Sequence, residues 1–356
     1  MSKQQKPRLL TGDTSTGRLH LGHWVGSIEN RVNMQDDYDC YFLIANIQAM
    51  TTRMDNPAEV HQNVMEVMLD YLASGIDPKK STIFIQSEIA AIAELTIFFS
   101  LLVPYPRLMR NPTIKDEIRD KGLGENYSVG FLLYPISQAA DILSFRADVV
   151  PVGEDQIPHL ELTREVARRF NQLYCHVDSH ADDAKQLELG GLFPIPETKL
   201  GRTKRLVGIN HPGPDGSLQK MSKSLNNAIF LSDDPDTVKK KVMSMYTDPN
   251  RLKATDKGTV ENNPLWIFHD TFNTDKEWVE AAKERYREGT IGDVECKKKL
   301  IDVLVSIIEP MRERRLQYEN DLHQVKKLLE QGTAKANQTA NETLLLAKEA
   351  MRQRYF

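Results

Sequence analysis

Apolar runs and helical periodicity alternate along the first half of the chain. Short continuous apolar runs predict four buried strands, at residues 7–12, 39–46, 81–86 and 147–152. Apolar positions at helical spacing predict four helices, at residues 20–35, 57–74, 91–103 and 156–171. Continuous apolar strands that alternate with helices are typical of a parallel sheet covered on both faces, so the pattern predicts an α/β fold.

The pattern changes in the second half. Residues 115–126 are charged and contain glycines, and we expect a mobile surface segment there. Residues 177–219 are polar with Gly and Pro throughout, and 211–219 predict a turn-rich loop. From about Asp233 the strand signals vanish and the chain becomes helical and heavily charged. We therefore predict an α/β domain over residues 1–190, a connecting segment over 191–232 and a helical domain over 233–356.

Composition narrows the class of protein only slightly. The chain has 356 residues, and 46 Lys and Arg against 50 Asp and Glu give a net charge of −4, which neither requires nor excludes a nucleic-acid partner. The three cysteines form no CxxC pair, so we expect free thiols in a reducing cytoplasm. There is no apolar run of membrane-spanning length and no signal-peptide pattern, and we expect a cytoplasmic protein without a membrane partner.

Residues 11–23, TGDTSTGRLHLGH, contain the first candidate for chemistry, because they join a predicted strand to a predicted helix. Glycines let the backbone approach a ligand, and the N–H groups of a helix N-terminus favour phosphate. His20 and His23 lie one helical turn apart and can both donate hydrogen bonds to phosphate oxygens. A tight turn with two surface histidines is the structural alternative.

Residues 220–224, KMSKS, form the second candidate. Two lysines and two serines on a loop can stabilise a leaving pyrophosphate, although an isolated sequence of this kind also fits a basic surface loop. The motif follows the HxGH segment by about 200 residues, which is the arrangement of the two signature motifs of class I aminoacyl-tRNA synthetases.

The resemblance extends over essentially the whole chain. Segments that resemble tryptophanyl-tRNA synthetases lie at residues 75–78, 84–87, 134–143 and 150–156. This resemblance implies a Rossmann-like doubly wound parallel sheet and a helical C-terminal domain that reads the anticodon. It also implies the substrates L-tryptophan, ATP with Mg²⁺, and tRNA(Trp), in a homodimer that binds no DNA.

The resemblance assigns roles to individual residues. The expected catalytic residues are His20, His23, Lys220 and Lys223. The expected ATP-binding residues are Gly12, Thr14, Ser15, Thr16, Gly22, His23, Gly153, Glu154, Asp155, Leu206, Lys220, Met221, Ser222, Lys223 and Ser224. The expected tryptophan-binding residues are Asp141, Tyr134, Gln156, Val150, Val152, Gln48 and Gln138. Asp141 would accept the indole N–H, because indole offers one donor and no acceptor. No protein-held metal is expected.

The sequence departs from commonly studied bacterial members at several of these positions. Residues 14–16 replace a Gln-Pro-Ser turn, His23 replaces an asparagine, Gln48 a histidine and Gln138 a methionine. We therefore expect a more polar tryptophan pocket with altered sensitivity to tryptophan-mimicking inhibitors. Three alternatives stay open: a tyrosyl-tRNA synthetase, a small-molecule adenylyltransferase, and a paralogue that binds tryptophan or RNA without aminoacylation.

Overall fold

The computed structural model describes residues 6–356, apart from 121, 123, 125, 201–205, 214–215, 249–250, 252 and 254 and the side chains of 120 and 155. Within this part of the chain a parallel sheet has the strand order β3-β2-β1-β4-β5. Its strands are β1 (Arg8–Thr14), β2 (Asp39–Ala45), β3 (Ser81–Ile85), β4 (Val149–Val152) and β5 (Glu197–Leu200). This order is that of a Rossmann sheet, in which ligands bind where the order reverses, here between β1 and β4.

Helices connect and cover the strands. In the first half they are α1 (Leu21–His23), α2 (Glu29–Met34), α3 (Asn46–Arg53), α4 (Pro57–Ser74), α5 (Ala90–Ser100), α6 (Tyr105–Met109), α7 (Pro112–Asp120), α8 (Val129–Leu143) and α9 (Ile157–Tyr174). In the second half they are α10 (Pro235–Met243), α11 (Pro264–Phe272), α12 (Lys276–Glu288), α13 (Asp293–Glu319) and α14 (Leu322–Ala350). A π-helical segment, Trp24–Ile28, joins α1 to α2, so residues 21–34 form one continuous helical stretch.

Alternate residues of each strand face two separate cores. Leu9 and Phe42 point into one core and Leu10 and Leu43 into the other, as the two-residue period of a strand requires. The first core continues into α13, which packs against α4. The C-terminal helices therefore share a core with the sheet.

Helix α14 covers the edge strand β3. A Cβ on Gly332 would lie 2.1 Å from the carbonyl oxygen of Ile83, so only glycine permits this approach of helix to strand. The next residue, Thr333, accepts the N–H of Ile85 with its hydroxyl at 3.3 Å. The helix thus shields backbone groups that an open sheet edge would expose.

The predicted α/β class is confirmed, and each predicted strand and helix has an observed counterpart. Residues 115–120, the first part of the segment expected to be mobile, belong to helix α7. Residues 121, 123 and 125 lie outside the described part of the chain, and the expected mobility stays a prediction. Strand β5 was not predicted, because its side chains are mostly exposed and its sequence has no apolar run. Within the described residues, no helix is long and apolar enough to cross a membrane. The proposed domain boundaries stay a prediction.

Candidate active site

A cavity of about 620 Å³ opens at the carboxyl ends of β1, β2 and β4. It collects most of the side chains that the sequence singled out: Gly12, Thr14, Thr16, His20, Gly22, His23, Gln48, Tyr134, Gln138, Asp141, Val150, Val152, Gly153, Gln156, Leu206, Lys220, Met221, Ser222, Lys223 and Ser224. Ser15 and Glu154 do not line it: Ser15 is buried and Glu154 is exposed. The side chain of Asp155 lies outside the described part of the chain.

The two histidines of the first motif cap the helix that follows. Nδ1 of His20 accepts the N–H of Gly22 and Nδ1 of His23 accepts the N–H of His20, both at 3.1 Å. A ring nitrogen that accepts a backbone N–H carries no proton, so each neutral imidazole has its proton on Nε2. The two rings are in contact, with centroids 3.8 Å apart and ring planes inclined at 48°. The motif therefore presents two Nε2–H donors.

Both histidines are neutral at pH 7. Burial lowers the pKa of His23 to about 4, and the cations Lys223, Arg31 and Lys220 oppose its protonation further, against the opposite effect of Asp13. Burial also lowers the pKa of His20, helped by His23 and the two lysines of the second motif. The histidines can thus bind phosphate oxygens as hydrogen-bond donors, without a positive charge of their own.

A buried polar network that the sequence did not reveal supports the first motif. Arg31 donates to Asp13 at 2.6 Å, and the Tyr71 hydroxyl donates to the same carboxylate oxygen at 2.8 Å. The guanidinium keeps the pKa of Asp13 below its usual value despite the opposing effect of burial. Next to it, a Cβ on Gly12 would lie 2.2 Å from the carbonyl oxygen of Leu43, so this position requires glycine.

Asn227, also not predicted, holds the backbone of the second motif. Its Oδ1 accepts the N–H of Ser222 at 2.7 Å, and its Nδ2 donates to the carbonyl of Lys220 at 3.1 Å. The side chain is fully buried against Gly208, where an added Cβ would lie 2.1 Å from Nδ2. Asn227 therefore anchors the backbone of the motif on both sides of Met221.

The two motifs are in direct contact. Leu21 donates its N–H to Ile229 at 2.9 Å and Leu231 donates to Leu19 at 3.0 Å, so the segment after the second motif pairs with the first. Nζ of Lys223 donates to the carbonyl of Gly17 at 2.8 Å, and burial lowers its pKa to about 8. Motifs about 200 residues apart in sequence therefore form one cationic, donor-rich end of the cavity.

The opposite end of the cavity is built around a buried carboxylate. Asp141 on α8 is 2% exposed, and Nε2 of Gln86 donates to both of its oxygens at 2.9 Å. Oε1 of Gln86 accepts the N–H of Gln48 at 3.2 Å, which fixes the amide so that its donors face Asp141. Burial raises the pKa of Asp141 to about 8, and the Gln86 hydrogen bond acts in the opposite direction. This carboxyl can accept one further donor from a ligand.

The wall beside Asp141 combines apolar and polar groups. The Tyr134 hydroxyl donates to Glu117 and contacts Nε2 of His159, both at 3.3 Å. Gln138 donates to Gln156 at 3.2 Å, whereas its own buried Oε1 has no partner among the described residues. An unpaired buried acceptor costs free energy unless a ligand supplies a donor. The pocket thus offers two acceptors to a planar ligand with N–H groups.

The geometry combines a cationic, donor-rich end that suits phosphate with a pocket for a small ligand, at the switch point of a Rossmann sheet. Comparison with known proteins identifies the class. A family model described as tRNA synthetases class I (W and Y) matches residues 2–309, and the chain belongs to this family.

Individual members of this family are similar to the chain over almost its whole length. Two curated relatives are named tryptophan–tRNA ligase: that of Streptococcus agalactiae is 47% identical over 356 residues and that of Streptococcus pyogenes 48% over 355, with 99% of each chain covered. The crystal structure of a tryptophanyl-tRNA synthetase from Campylobacter jejuni, complexed with ADP and tryptophan, is 30% identical. It superposes with a TM-score of 0.78 over 97% of this chain and 99% of the other. The family resemblance seen in the sequence is confirmed.

Proposed function

We propose that this protein is a tryptophan–tRNA ligase that activates L-tryptophan with ATP and transfers it to tRNA(Trp). The observation that carries the proposal is Asp141. A buried carboxyl that has Gln86 as its hydrogen-bond partner in the described residues lies in the cavity that both phosphate motifs line. Indole has one N–H donor and no acceptor, so a buried carboxyl acceptor in this cavity suits it.

The activation step follows from the two ends of the cavity. A tryptophan carboxylate oxygen attacks the α-phosphorus of ATP, the Pα–O–Pβ bond breaks, and pyrophosphate leaves with the bonding electrons. The Nε2–H groups of His20 and His23 and the ammonium groups of Lys220 and Lys223 stabilise the charge that moves onto pyrophosphate. Mg²⁺ enters with the ATP phosphates as part of the substrate, which is how phosphate substrates usually hold it.

The second step uses the same site. A ribose hydroxyl at the 3′ end of tRNA attacks the carbonyl carbon of tryptophanyl-adenylate, and AMP leaves. No side chain becomes a covalent nucleophile, so catalysis depends on positioning and on charge stabilisation. We place this reaction in the cytoplasm, where tRNA is charged for translation.

A homodimer is part of the proposal. Large apolar side chains are exposed on α5, α6 and α8 and just after α5: Ile97 (57%), Leu101 (72%), Tyr105 (60%) and Val129 (71%). Large exposed apolar side chains are typical of a surface that another protein subunit covers. Sedimentation equilibrium of the wild type and of Leu101→Glu measures the oligomeric state, and a wild-type monomer would contradict the dimer.

Amino-acid-dependent ATP–pyrophosphate exchange tests the function. We expect exchange with tryptophan, none with phenylalanine or without amino acid, and loss of exchange in Asp141→Ala. Exchange with tyrosine would identify the protein as a tyrosyl-tRNA synthetase instead. Absence of exchange with any amino acid would favour another adenylyltransferase or a binding paralogue. Charging of tRNA(Trp) with labelled tryptophan then tests the second step.

A further inference from the structure

A buried arginine from the C-terminal helices lies close to the first phosphate motif. Arg315 of α13 has a side chain that is 4% exposed, and its guanidinium contacts three carboxylates. It donates to Oδ1 of Asp70, to Glu66 at 2.6 Å and to Glu319 at 2.8 Å. Asp70 and Glu66 belong to α4, so the arginine joins the two helices through a fully buried ion pair with Asp70 and a half-buried one with Glu66.

The second oxygen of Asp70 connects this cluster to the motif. Oδ2 accepts the N–H of Leu19 at 2.6 Å, and Leu19 immediately precedes His20. Asp70 itself is completely buried. The path from α13 to the histidine therefore consists of one ion pair, one hydrogen bond and one peptide bond.

The arrangement requires both oxygens of an ionised carboxylate. Burial raises the pKa of Asp70 to about 6, and Arg315 and the Leu19 N–H act against that rise. Removing one partner of a buried ion pair leaves the other charge uncompensated, and such a group takes up a proton or changes its position. The Leu19 backbone thus depends on a side chain about 300 residues away in sequence.

We propose that Asp70 and Arg315 are positioning residues for the ATP step: Arg315 orients the Asp70 carboxylate, and Asp70 fixes the backbone that carries His20. The position of α13 then determines the geometry of the phosphate end of the cavity and leaves the Asp141 end unaffected. This inference rests on the proposed activation of an amino acid by ATP.

The neighbouring arginine provides a matched control. Nε of Arg314 donates to the carbonyl of Ala73 at 2.7 Å, so it crosses the same interface between α13 and α4 without reaching the motif. Arg314→Ala and Arg315→Ala both remove a contact between these helices. Asp70→Asn is the most specific variant: an NH2 group replaces one of the two carboxylate oxygens, so either Leu19 or Arg315 then faces a donor in place of its acceptor.

We expect Asp70→Asn and Arg315→Ala to reduce kcat/KM for ATP in pyrophosphate exchange by about tenfold or more, the cost of one hydrogen bond to a charged group. KM for tryptophan should not change. Arg315→Lys should recover part of the loss, because lysine restores a charge beside Asp70 but not the planar fork. Arg314→Ala should resemble the wild type in both parameters. Equal losses in Arg314→Ala and Arg315→Ala, or a parallel rise in KM for tryptophan, would show that the cluster only holds the helices together.

A measurement without turnover separates this inference from the proposed function. The imidazole C–H resonances of histidine-labelled protein, assigned with His20→Gln, report the environment of His20 directly. Asp70→Asn should shift the His20 resonance and Arg314→Ala should not. An unchanged His20 resonance in Asp70→Asn would overturn the inference, even if the wild-type protein catalyses tryptophan-dependent exchange. A wild type without exchange but with the expected shift would refute only the activity.

Discussion

The contact between Gln86 and Asp141 leads to the sharpest prediction. Gln86→Met removes the amide that donates to both oxygens of Asp141 and keeps a side chain of similar length. Above about pH 8, where Asp141 is ionised, a hydrogen bond to its carboxylate contributes about 1.5–3 kcal/mol, and no other partner among the described residues compensates for its loss. Since every 1.4 kcal/mol is a factor of about ten, KM for tryptophan should rise about 10- to 100-fold. KM for ATP should stay the same.

The variant should also change the pH dependence. The pKa of Asp141 is raised by burial to about 8, and losing Gln86 raises it further. The ionised carboxylate accepts an indole N–H more strongly than the acid does, so KM for tryptophan should fall as pH increases through about 8 in the wild type. In Gln86→Met this fall should move to higher pH. The raised pKa also means that the unfolded chain binds fewer protons than the folded one between pH 3.8 and about 8, so Asp141 lowers the free energy of unfolding as pH rises through that window.

Pyrophosphate exchange at varied tryptophan and at varied ATP, from pH 6.5 to 9, measures these effects. Asn46→Ala is the matched control, because it breaks the contacts between Asn46 and Ser87 beside Gln86 without touching Asp141. The reasoning is refuted if Gln86→Met leaves KM for tryptophan unchanged. It is also refuted if Asn46→Ala raises that KM equally.

Three further predictions concern the phosphate end. Gly12→Ala forces a Cβ to 2.2 Å from a carbonyl oxygen of β2, so thermal denaturation should show a lower Tm than for Gly130→Ala, whose nearest new contact is at 3.7 Å. Asn227→Ala frees the backbone of the second motif and should raise KM for ATP in exchange assays, whereas Asn210→Ala, which loses an exposed contact to Leu225, should not. The pKa of Lys223 is lowered to about 8, so KM for ATP should rise above that pH as the ammonium loses its proton. Lys223→Arg should make KM for ATP independent of pH in this range. A wild-type KM that does not change with pH would contradict the role of Lys223 in ATP binding.

The sequence was informative where the signal is local. Apolar runs located β1 to β4 because buried parallel strands need them, and the two motifs located the phosphate end because their residues are contiguous. The predicted bounds of helix α4 agree with the observed ones, where Asn56 caps its start and Gly75, with a positive φ of 104°, ends it. The resemblance supplied Asp141, which no periodicity identifies.

The parts that were missed depend on partners far apart in the chain. Gln86 and Asp141 are 55 residues apart, Tyr71 and Asp13 are 58 apart, and Arg315 and Asp70 are 245 apart. A single sequence does not show that a polar side chain is buried. A buried arginine cannot be told from an exposed one until its carboxylate partner is known. Burial converts such residues from solvated groups into the supports of a site, because an unpaired polar group in the core is costly.

The buried environment of the phosphate end keeps its positive charge small before a ligand binds. Its histidines are neutral, and Lys223 contacts the Gly17 carbonyl with a pKa of about 8. An ATP phosphate oxygen is a stronger acceptor for the same ammonium than a carbonyl, and its negative charge favours the protonated lysine. We therefore expect Lys223 to move from Gly17 to phosphate when ATP binds, which would couple nucleotide binding to the position of the second motif. Asn227 holds the backbone of Lys220 and Ser222, so we expect the rearrangement to be local.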